Sequence, residues 1–143
     1  MSAEQAFCFV DTNVLVYAFE KSDSSKKQTA KRLLTGLMDT DCLRLSTQVL
    51  QELFVVLTRK AALPCMGKEA LAVLEDLAAW PVTVVDFPEI RDAAGLSAHA
   101  TLSFWDSLVL VSAARSGASV LYTEDLNHGQ EILGVRITNP FAA

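Results

Sequence analysis

The stretch Phe7-Cys8-Phe9-Val10-Asp11-Thr12-Asn13 decides the fold, because it brings four apolar residues directly against an acid, a hydroxyl and an amide. Apolar residues at helical spacing follow it. The pattern therefore predicts a buried strand that ends at Asp11 and a helix that begins beside it. In open α/β sheets, ligands bind just beyond the carboxyl ends of the strands. Asp11 is a candidate functional residue, with simple capping of the helix as the alternative.

The rest of the chain alternates predicted helices with predicted strands. Further strands are expected at residues 42–46, 82–86, 118–122 and 135–138, the last of them at the edge of the sheet. Helices are expected at residues 26–38, 47–58, 68–79 and 105–116, from residue 88 to about 95 with a further helical stretch to 100, and briefly after Gly129. Such alternation is typical of a parallel sheet. We therefore predict one α/β domain over residues 1–143, with a central parallel sheet of four to five strands and helices on both faces.

The composition is that of a compact globular protein. Hydrophobic residues make up 51% of the 143 residues and charged residues 20%. The longest stretch without an acidic or basic side chain, residues 93–105, is too short to cross a bilayer, and the N-terminus lacks the pattern of a secretion signal. Three scattered cysteines do not make a disulfide framework. We expect a cytoplasmic protein with reduced thiols and no membrane association.

The charge balance bears on the class of ligand. The net charge is −5 and the isoelectric point about 4.9, which by itself argues against non-specific binding to nucleic acid. That argument weakens if several acids share one pocket with metal ions, because the cations neutralise them locally. The placement of the acids on the predicted elements therefore matters more than their number.

Glu52 is the most informative acid. Its neighbours three and four positions away on the predicted helix are mostly valines, so its carboxylate is expected to be largely desolvated. An unpaired buried charge is very costly and needs a cation. The basic residues Arg59 and Lys60 lie about two helical turns away. A metal-binding or catalytic role is therefore favoured over an ion pair.

Asp106 and Asp125 occupy positions comparable to that of Asp11. Asp106 begins a predicted helix, and Asp125 follows the predicted strand 118–122. Each could be an ordinary acid of a helix start or a turn, and the neighbouring Glu124 is expected to point to solvent. However, Asp11, Asp106, Asp125 and the start of the helix that carries Glu52 all fall where the carboxyl ends of parallel strands meet.

Together these four carboxylates predict a metal centre. Without lysine or arginine among them they would repel one another, and Mg²⁺ or Mn²⁺ prefers sites made of oxygen ligands. Such ions bind phosphate, lower the pKa of a water nucleophile and stabilise the leaving oxygen, so the acids favour metal-assisted hydrolysis of phosphodiesters. Asn13, Ser46 and Thr123 lie near the same end and are predicted to orient ligands or waters.

Four motifs, in this order, resemble those of PIN-domain nucleases. They are Asp11-Thr12-Asn13, Ser46 leading to Glu52, Trp105-Asp106-Ser107-Leu108, and the run Tyr122-Thr123-Glu124-Asp125-Leu126-Asn127-His128-Gly129. The resemblance covers essentially the whole chain in length, order and spacing. Within the family, the last run makes the chain most similar to the toxin subunits of VapBC type II toxin–antitoxin systems.

The resemblance implies an endoribonuclease that depends on Mg²⁺ or Mn²⁺, forms a homodimer and is held inactive by an antitoxin encoded beside it. The family's acidic positions are matched by Asp11, Glu52, Asp106 and Asp125, and its supporting polar positions by Asn13 and Thr123. Some relatives carry an extra acid shortly before the third motif, which residues 102–105 lack. A second metal is therefore expected to bind weakly or only with substrate.

An RNA substrate needs a cationic path to these acids. Arg59 and Lys60 end one predicted helix, and further basic side chains cluster on the predicted helix 26–38, at Lys26, Lys27, Lys31 and Arg32. We predict that they contact RNA in a salt-dependent way, with an ordinary solvated helix face as the alternative. His128 is expected to shape the turn that presents Asp125 rather than to act as a general base.

Other α/β families also place an aspartate after the first strand. Haloacid-dehalogenase-type phosphatases and response-regulator receivers both need a lysine late in the chain, and no lysine follows Lys68. Two alternatives stay open beside the toxin. One is a PIN-domain ribonuclease that processes RNA outside a toxin–antitoxin pair, and the other is a PIN-like interaction module without catalysis.

Overall fold

A six-stranded sheet forms the centre of the computed structural model, which describes residues 6–61 and 63–142. Residues 1–5, 62 and 143 of the predicted domain lie outside the described residues. The strands are β1 (Phe7–Val10), β2 (Leu43–Ser46), β3 (Val82–Thr83), β4 (Ala118–Tyr122), β5 (Glu131–Ile132) and β6 (Val135–Thr138). Their order is β3-β2-β1-β4-β6-β5, and every pair is parallel except β5 with β6. The predicted α/β class and mainly parallel sheet are confirmed, but the number of strands exceeds the four to five predicted.

The additional strand is β5, which occupies the place of the short helix predicted after Gly129. Leu133 and Gly134 both have positive φ, at 56° and 76°, and they join Ile132 to its partner Val135. Two such residues in succession make the tight turn that matches the twist of an antiparallel hairpin. The chain therefore folds back on itself and pairs. As a result β6 lies between β4 and β5 rather than at the edge of the sheet, as predicted.

Helices cover both faces of the sheet. They are α1 (Thr12–Phe19), α2 (Ser25–Asp39), α3 (Thr47–Val55), α4 (Gly67–Leu77), α5 (Phe87–His99) and α6 (Phe104–Arg115), with a π-helical turn at Val56–Lys60 directly after α3. The chain runs from β1 to β2 to β3 in one direction and then crosses back to β4. Because such crossovers are right-handed, α1 to α4 lie on one face and α5 and α6 on the other. In agreement, α1 packs against α2 and α3, and α5 packs against α6.

Helix α6 has more buried residues than any other helix in the described part of the chain. Seven consecutive residues of this helix, 107–113, are buried, and the helix contacts β2, β4, β6 and α5. Gly117, with a φ of 81°, ends the segment as predicted, because its left-handed conformation favours glycine. The start of α6, with Asp106, is thereby fixed relative to the strand ends. No helix in the described ranges is both long enough and apolar enough to cross a membrane.

The reversal of direction in the sheet creates a crevice between the ends of β1 and β4. Val10 pairs with Tyr122, so Asp11 and Thr123 emerge side by side. The backbone N–H of Asp11 donates to the carbonyl of Tyr122 at 3.0 Å. In parallel α/β sheets such a crevice is the usual place for a ligand.

Candidate active site

Asp11 is the buried centre of the crevice, with 6% of its surface exposed. One carboxylate oxygen accepts from the backbone N–H of Thr12 at 2.7 Å, and the other from the hydroxyl of Thr123 at 3.0 Å. Burial raises the pKa of Asp11 to about 6; the two hydrogen bonds oppose the rise, and the charges of Glu52 and Asp125 add to it. Asp11 therefore caps α1 and also carries a carboxylate that no lysine or arginine of the described residues neutralises.

Thr123 and Asn13 tie the loop after β4 to the start of α1. The Thr123 hydroxyl, which donates to Asp11, accepts from Asn13 Nδ2 and from the backbone N–H of Asp125, both at 3.2 Å. Asn13 Nδ2 also donates to the Asp125 carboxylate at 2.9 Å, and Asn13 Oδ1 accepts from the backbone N–H of Glu124 at 3.3 Å. Four of the predicted site residues, Asp11, Asn13, Thr123 and Asp125, thus form one hydrogen-bonded group.

Glu52 joins this group through Thr12. Its carboxylate accepts from the Thr12 hydroxyl at 3.1 Å and from Gln48 Nε2 at 2.9 Å. Glu52 is half-buried rather than fully buried. The reason is that a cleft of about 410 Å³ opens beside it and reaches to Asp125. Glu52 makes no ion pair within the described residues.

Asp106 and Ser46 stand outside this hydrogen-bonded group. Ser46, at the end of β2, is fully buried, and its hydroxyl accepts from the backbone N–H of Val49 at 3.4 Å to cap α3. The backbone N–H of Asp106 donates to the hydroxyl of Ser103 at 3.0 Å, which caps α6. The half-buried Asp106 carboxylate makes no hydrogen bond or ion pair with any described residue. Ser46 therefore acts on the site only by setting the start of the helix that carries Glu52.

Two residues of the site were missed by sequence reasoning. Thr12 was taken only as a neighbour of Asp11, yet its hydroxyl reaches Glu52 from forty positions away in the chain. Gln48 lies four positions before Glu52, the spacing at which helical side chains meet, and its Nε2 also donates to the carbonyl of Trp105 at 3.4 Å. Gln48 therefore connects α3 to the start of α6.

Glu124 was predicted to point to solvent, but it does not. It accepts from the Tyr17 hydroxyl at 2.9 Å and pairs with Lys26 at 2.8 Å. The Lys26 ammonium also lies 5.1 Å and 5.2 Å from the ring centroids of Tyr17 and Phe141. Because α2 packs against α1, it carries Lys26 across to the loop after β4. This cluster holds the residue immediately before Asp125.

The four basic residues predicted to contact RNA are not equally placed. Lys26 lies beside the site, through its pair with Glu124. Lys27 donates to the carbonyl of Glu20, and Lys27 and Lys31 line a separate cleft with Trp80. Arg32 is exposed on α2. The cationic surface nearest to the acids is therefore smaller than the sequence suggested.

His128 has the structural environment expected for a turn residue. Its Nδ1 accepts from the backbone N–H of Asn139 at 2.9 Å. The next residue, Gly129, has a φ of 88°, and its N–H donates to the carbonyl of Ile137 at 2.8 Å. His128 therefore connects the loop that carries Asp125 to the end of β6.

The family model of the PIN domain matches residues 8–130, a range that contains Asp11, Glu52, Asp106 and Asp125. This chain belongs to the PIN domain family. A comparison with curated proteins found no significant match.

Solved structures with the same PIN fold include toxins and toxin–antitoxin complexes. VapC20 of Mycobacterium tuberculosis, a sarcin–ricin loop cleaving toxin, is 20% identical with a TM-score of 0.62, and the match covers 82% of this chain and 91% of that chain. A toxin–antitoxin complex from Klebsiella pneumoniae is 16% identical with a TM-score of 0.68, over 95% and 99% of the two chains. VapBC2 of Rickettsia felis, bound to a DNA fragment from its promoter, is 18% identical with a TM-score of 0.66, over 93% and 98%. The predicted resemblance to the PIN domain, with VapC toxins as structural neighbours, is confirmed.

The ligand chemistry of this PIN domain fits a hard divalent cation. The four acids of the candidate site, Asp11, Glu52, Asp106 and Asp125, offer only oxygen, which Mg²⁺ and Mn²⁺ prefer. Their spacing is more open than that of a closed metal site, because no three acids, histidines or cysteines of the described residues lie close enough together to hold a metal. Asp125 is exposed and Asp106 half-buried, so rotation of these two side chains is what would tighten the group.

Replacing Thr123 by valine is expected to destabilise the PIN domain. Valine has nearly the same shape but no hydroxyl, so the buried carboxylate of Asp11 and the backbone N–H of Asp125 lose a partner. Removing a hydrogen bond to a charged group costs about 1.5–3 kcal/mol. Urea denaturation should therefore give a free energy of unfolding about 2 kcal/mol lower, while Thr123→Ser, which keeps the hydroxyl, stays near the parent. A valine variant as stable as the serine variant would contradict the central role of this hydroxyl.

Proposed function

We propose that this PIN domain is a metal-dependent endoribonuclease and the toxic component of a type II toxin–antitoxin system. The observation that carries the proposal is the buried carboxylate of Asp11, which lies beside Glu52 and Asp125 and has no cationic partner among the described residues. Structures that share the fold support the biological part, since they include a toxin that cleaves the sarcin–ricin loop and two toxin–antitoxin complexes.

The residues of the site have distinct roles in this proposal. The ligands for Mg²⁺ or Mn²⁺ are Asp11, Glu52, Asp106 and Asp125. The bound cation would act as a Lewis acid for the hydrolysis of a phosphodiester by water. Asn13 and Thr123 orient Asp125 and Asp11, and Ser46 places α3 with Glu52. Because the pKa of Asp11 is about 6, this carboxylate is mostly ionised at neutral pH and available to a cation.

Three macromolecular partners are proposed: RNA, an antitoxin and a second copy of the chain. Lys26, Lys27, Lys31 and Arg32 on α2 are proposed to attract the RNA backbone. A cognate antitoxin would cover the site, and a second copy of the chain would complete a homodimer. The exposed apolar side chains are consistent with such covered surfaces; they include Val55, Leu63, Met66, Leu71, Val84 and Ile90.

Cleavage of structured RNA by the purified protein tests the enzymatic part. We expect cleavage with Mg²⁺ or Mn²⁺, none with a chelator, and a rate at least about 100-fold lower for Asp106→Asn, because each 1.36 kcal/mol of lost stabilisation of the transition state is a factor of ten. Asp39→Asn, which changes an exposed acid at the end of α2, is the matched control. Undiminished cleavage by Asp106→Asn would refute the mechanism.

Expression in cells separates the toxin from the two alternatives. A toxin arrests growth when it is expressed without its partner, and co-expression of an adjacently encoded antitoxin relieves the arrest. An RNA-processing nuclease cleaves RNA without arrest, and an interaction module does neither. Equal tolerance of the parent and of Asp106→Asn by growing cells would remove the support for a toxin.

A further inference from the structure

A second cleft, of about 530 Å³, adjoins the proposed metal centre. It is lined by Gln48, Gln51, Glu52, Val55, Val56, Lys60 and Trp105. Glu52, Val56 and Lys60 also line the cleft that reaches Asp125. The second cleft is therefore adjacent to the place where the scissile phosphate would lie. The proposed chemistry gives no role to Trp105 or Lys60, although both line this wall of the site.

Trp105 is an exposed aromatic side chain whose ring packs against a neighbouring ring and whose backbone is bound to α3. Its surface is 63% exposed, although it directly precedes Asp106. Its ring contacts that of Phe104 edge-on, with 5.1 Å between centroids, and its carbonyl is bound by Gln48. A large aromatic face that is both exposed and positioned is what proteins use to stack an unpaired nucleobase.

Lys60 supplies a cation at the other side of the same cleft. It is the last residue of the π-helical turn Val56–Lys60 and is exposed. Single π-helical turns are rare in proteins, and those that occur are often found at functional sites. Lys60 and Glu52 line the same cleft, yet Lys60 forms no ion pair with any described residue. Lys26, by contrast, is already paired with Glu124. The Lys60 ammonium is thus available to a phosphate.

Gln48 contributes an acceptor that lacks a donor. The residue is only 6% exposed, and its Oε1 is buried without a hydrogen-bond partner in the described part of the chain. The orientation of the amide is determined, because Nε2 faces two acceptors, the carboxylate of Glu52 and the carbonyl of Trp105. Buried acceptors are normally satisfied. The amino group of a base or the 2′-hydroxyl of a ribose is a donor of the required kind.

We propose that this cleft is a subsite for one unpaired nucleotide next to the scissile phosphate. The base stacks on Trp105 and the phosphate contacts Lys60, while Gln48, whose Oε1 lacks a donor, lines the same cleft. The proposal rests on the nuclease function proposed above and adds Trp105 and Lys60 as residues that bind the nucleotide beside the cleavage point. A cation and an orphan acceptor beside an aromatic ring favour a nucleotide over an apolar protein surface.

Binding measured without cleavage tests the subsite. The protein carrying Asp11→Asn is titrated with a short labelled single-stranded RNA and with the same sequence in a duplex, at several salt concentrations. Trp105→Ala is expected to weaken binding of the single strand about 10-fold, the effect of losing one stacked base, whereas Trp105→Phe keeps most of the affinity. Lys60→Met is expected to make the salt dependence shallower by about 0.7 in the logarithmic slope.

Matched variants control for loss of exposed surface and charge. Phe87→Ala removes another aromatic side chain, 65% exposed, at the start of α5, and Lys68→Met removes another exposed lysine, on α4. Neither is expected to change the affinity or the salt slope. Lys60 and Lys68 are both exposed, so neither lysine substitution is expected to destabilise the fold. The comparison of Lys60→Met with Lys68→Met therefore stays valid even if a tryptophan variant is unstable.

Three results would overturn the subsite, each in a distinguishable way. Unchanged binding by Trp105→Ala and Lys60→Met, while Asp106→Asn still loses cleavage, rejects the subsite and leaves the nuclease proposal standing. Unchanged binding together with conversion of a dimer to a monomer by Trp105→Ala assigns the surface to a second copy of the chain. A parent protein that neither binds nor cuts RNA rejects both proposals.

Discussion

Replacing Asp11 by asparagine is expected to abolish cleavage and, in the absence of divalent cations, to make the protein more stable near neutral pH. Folding raises the pKa of Asp11 from 3.8 to about 6, chiefly because the carboxylate is buried. That difference corresponds to about 3 kcal/mol of unfavourable free energy for the ionised form. Asparagine avoids this cost. However, only one of its two terminal atoms is an acceptor, so one of the hydrogen bonds from the Thr12 N–H and the Thr123 hydroxyl is lost, at a cost of about 1 kcal/mol. The expected net gain is about 1–2 kcal/mol, or about 3–6 °C in Tm.

The sign of the pH dependence follows from the same pKa. Between 3.8 and about 6 the folded state holds a proton on Asp11 that the unfolded state has released. The stability contributed by this group is therefore fully present below 3.8, is lost as the pH rises to about 6, and is constant above that. The advantage of Asp11→Asn over the parent should widen across this window and then stay level.

Urea denaturation at a series of pH values, with cleavage assays on the same preparations, checks both parts. Asp39→Asn is the control, because it removes an exposed acid far along α2 and should change neither the activity nor the pH profile. A difference between Asp11→Asn and the parent that is independent of pH would show that the carboxylate does not carry the cost assigned to it. Full activity of Asp11→Asn would remove it from the proposed mechanism.

Mn²⁺ is expected to raise the Tm of the parent protein near neutral pH, by several degrees, and to do so much less in Asp11→Asn. The ionised carboxylates of Asp11, Glu52 and Asp125 repel one another in the folded protein, and a cation that binds between them relieves this repulsion. A ligand that binds only the folded state stabilises it by RT ln(1 + [L]/Kd), about 2.7 kcal/mol at a hundred times Kd. Because protons compete for Asp11, the effect should decline as the pH falls below about 6.

Thermal unfolding with and without Mn²⁺ or Mg²⁺ measures this stabilisation independently of catalysis. Glu52→Gln should reduce it as well, since Glu52 shares the cleft with Asp125. Asp39→Asn again serves as the matched control. If the cation raises the Tm of Asp11→Asn and Glu52→Gln as much as that of the parent, the metal binds elsewhere and the proposed ligands are wrong.

The elements of the fold were predictable because their signals are local. The apolar run before Asp11 predicted a buried strand, and the bounds predicted for the strands 118–122 and 135–138 agree with the structure. Gly117 marked the end of α6. The hairpin of β5 and β6 was missed because Leu133, an apolar residue, takes a positive φ that its chemistry does not announce. That conformation is imposed by strand pairing.

The site was predictable in its location but not in its contacts. Parallel strands of one sheet run in the same direction, so acids that follow the strands lie at the same end of the sheet whatever the details of helix packing. The partner of each acid depends on helix packing, which sequence spacing does not report. Glu124 was assigned to solvent, and Lys26 to RNA, until the packing of α2 on α1 brought them together.

The sequence by itself determined that this chain is an α/β domain with Asp11, Glu52, Asp106 and Asp125 at one end of its sheet, because hydrophobic period and turn chemistry act over a few residues. Only the tertiary structure decided that Thr12 reaches Glu52, that Asn13 reaches Asp125, and that Trp105 and Lys60 line one cleft. These contacts join residues that are far apart in the chain. They exist because the crossovers of the sheet and the packing of α3 against α1, and of α6 against β2 and β4, bring the segments within a few ångströms.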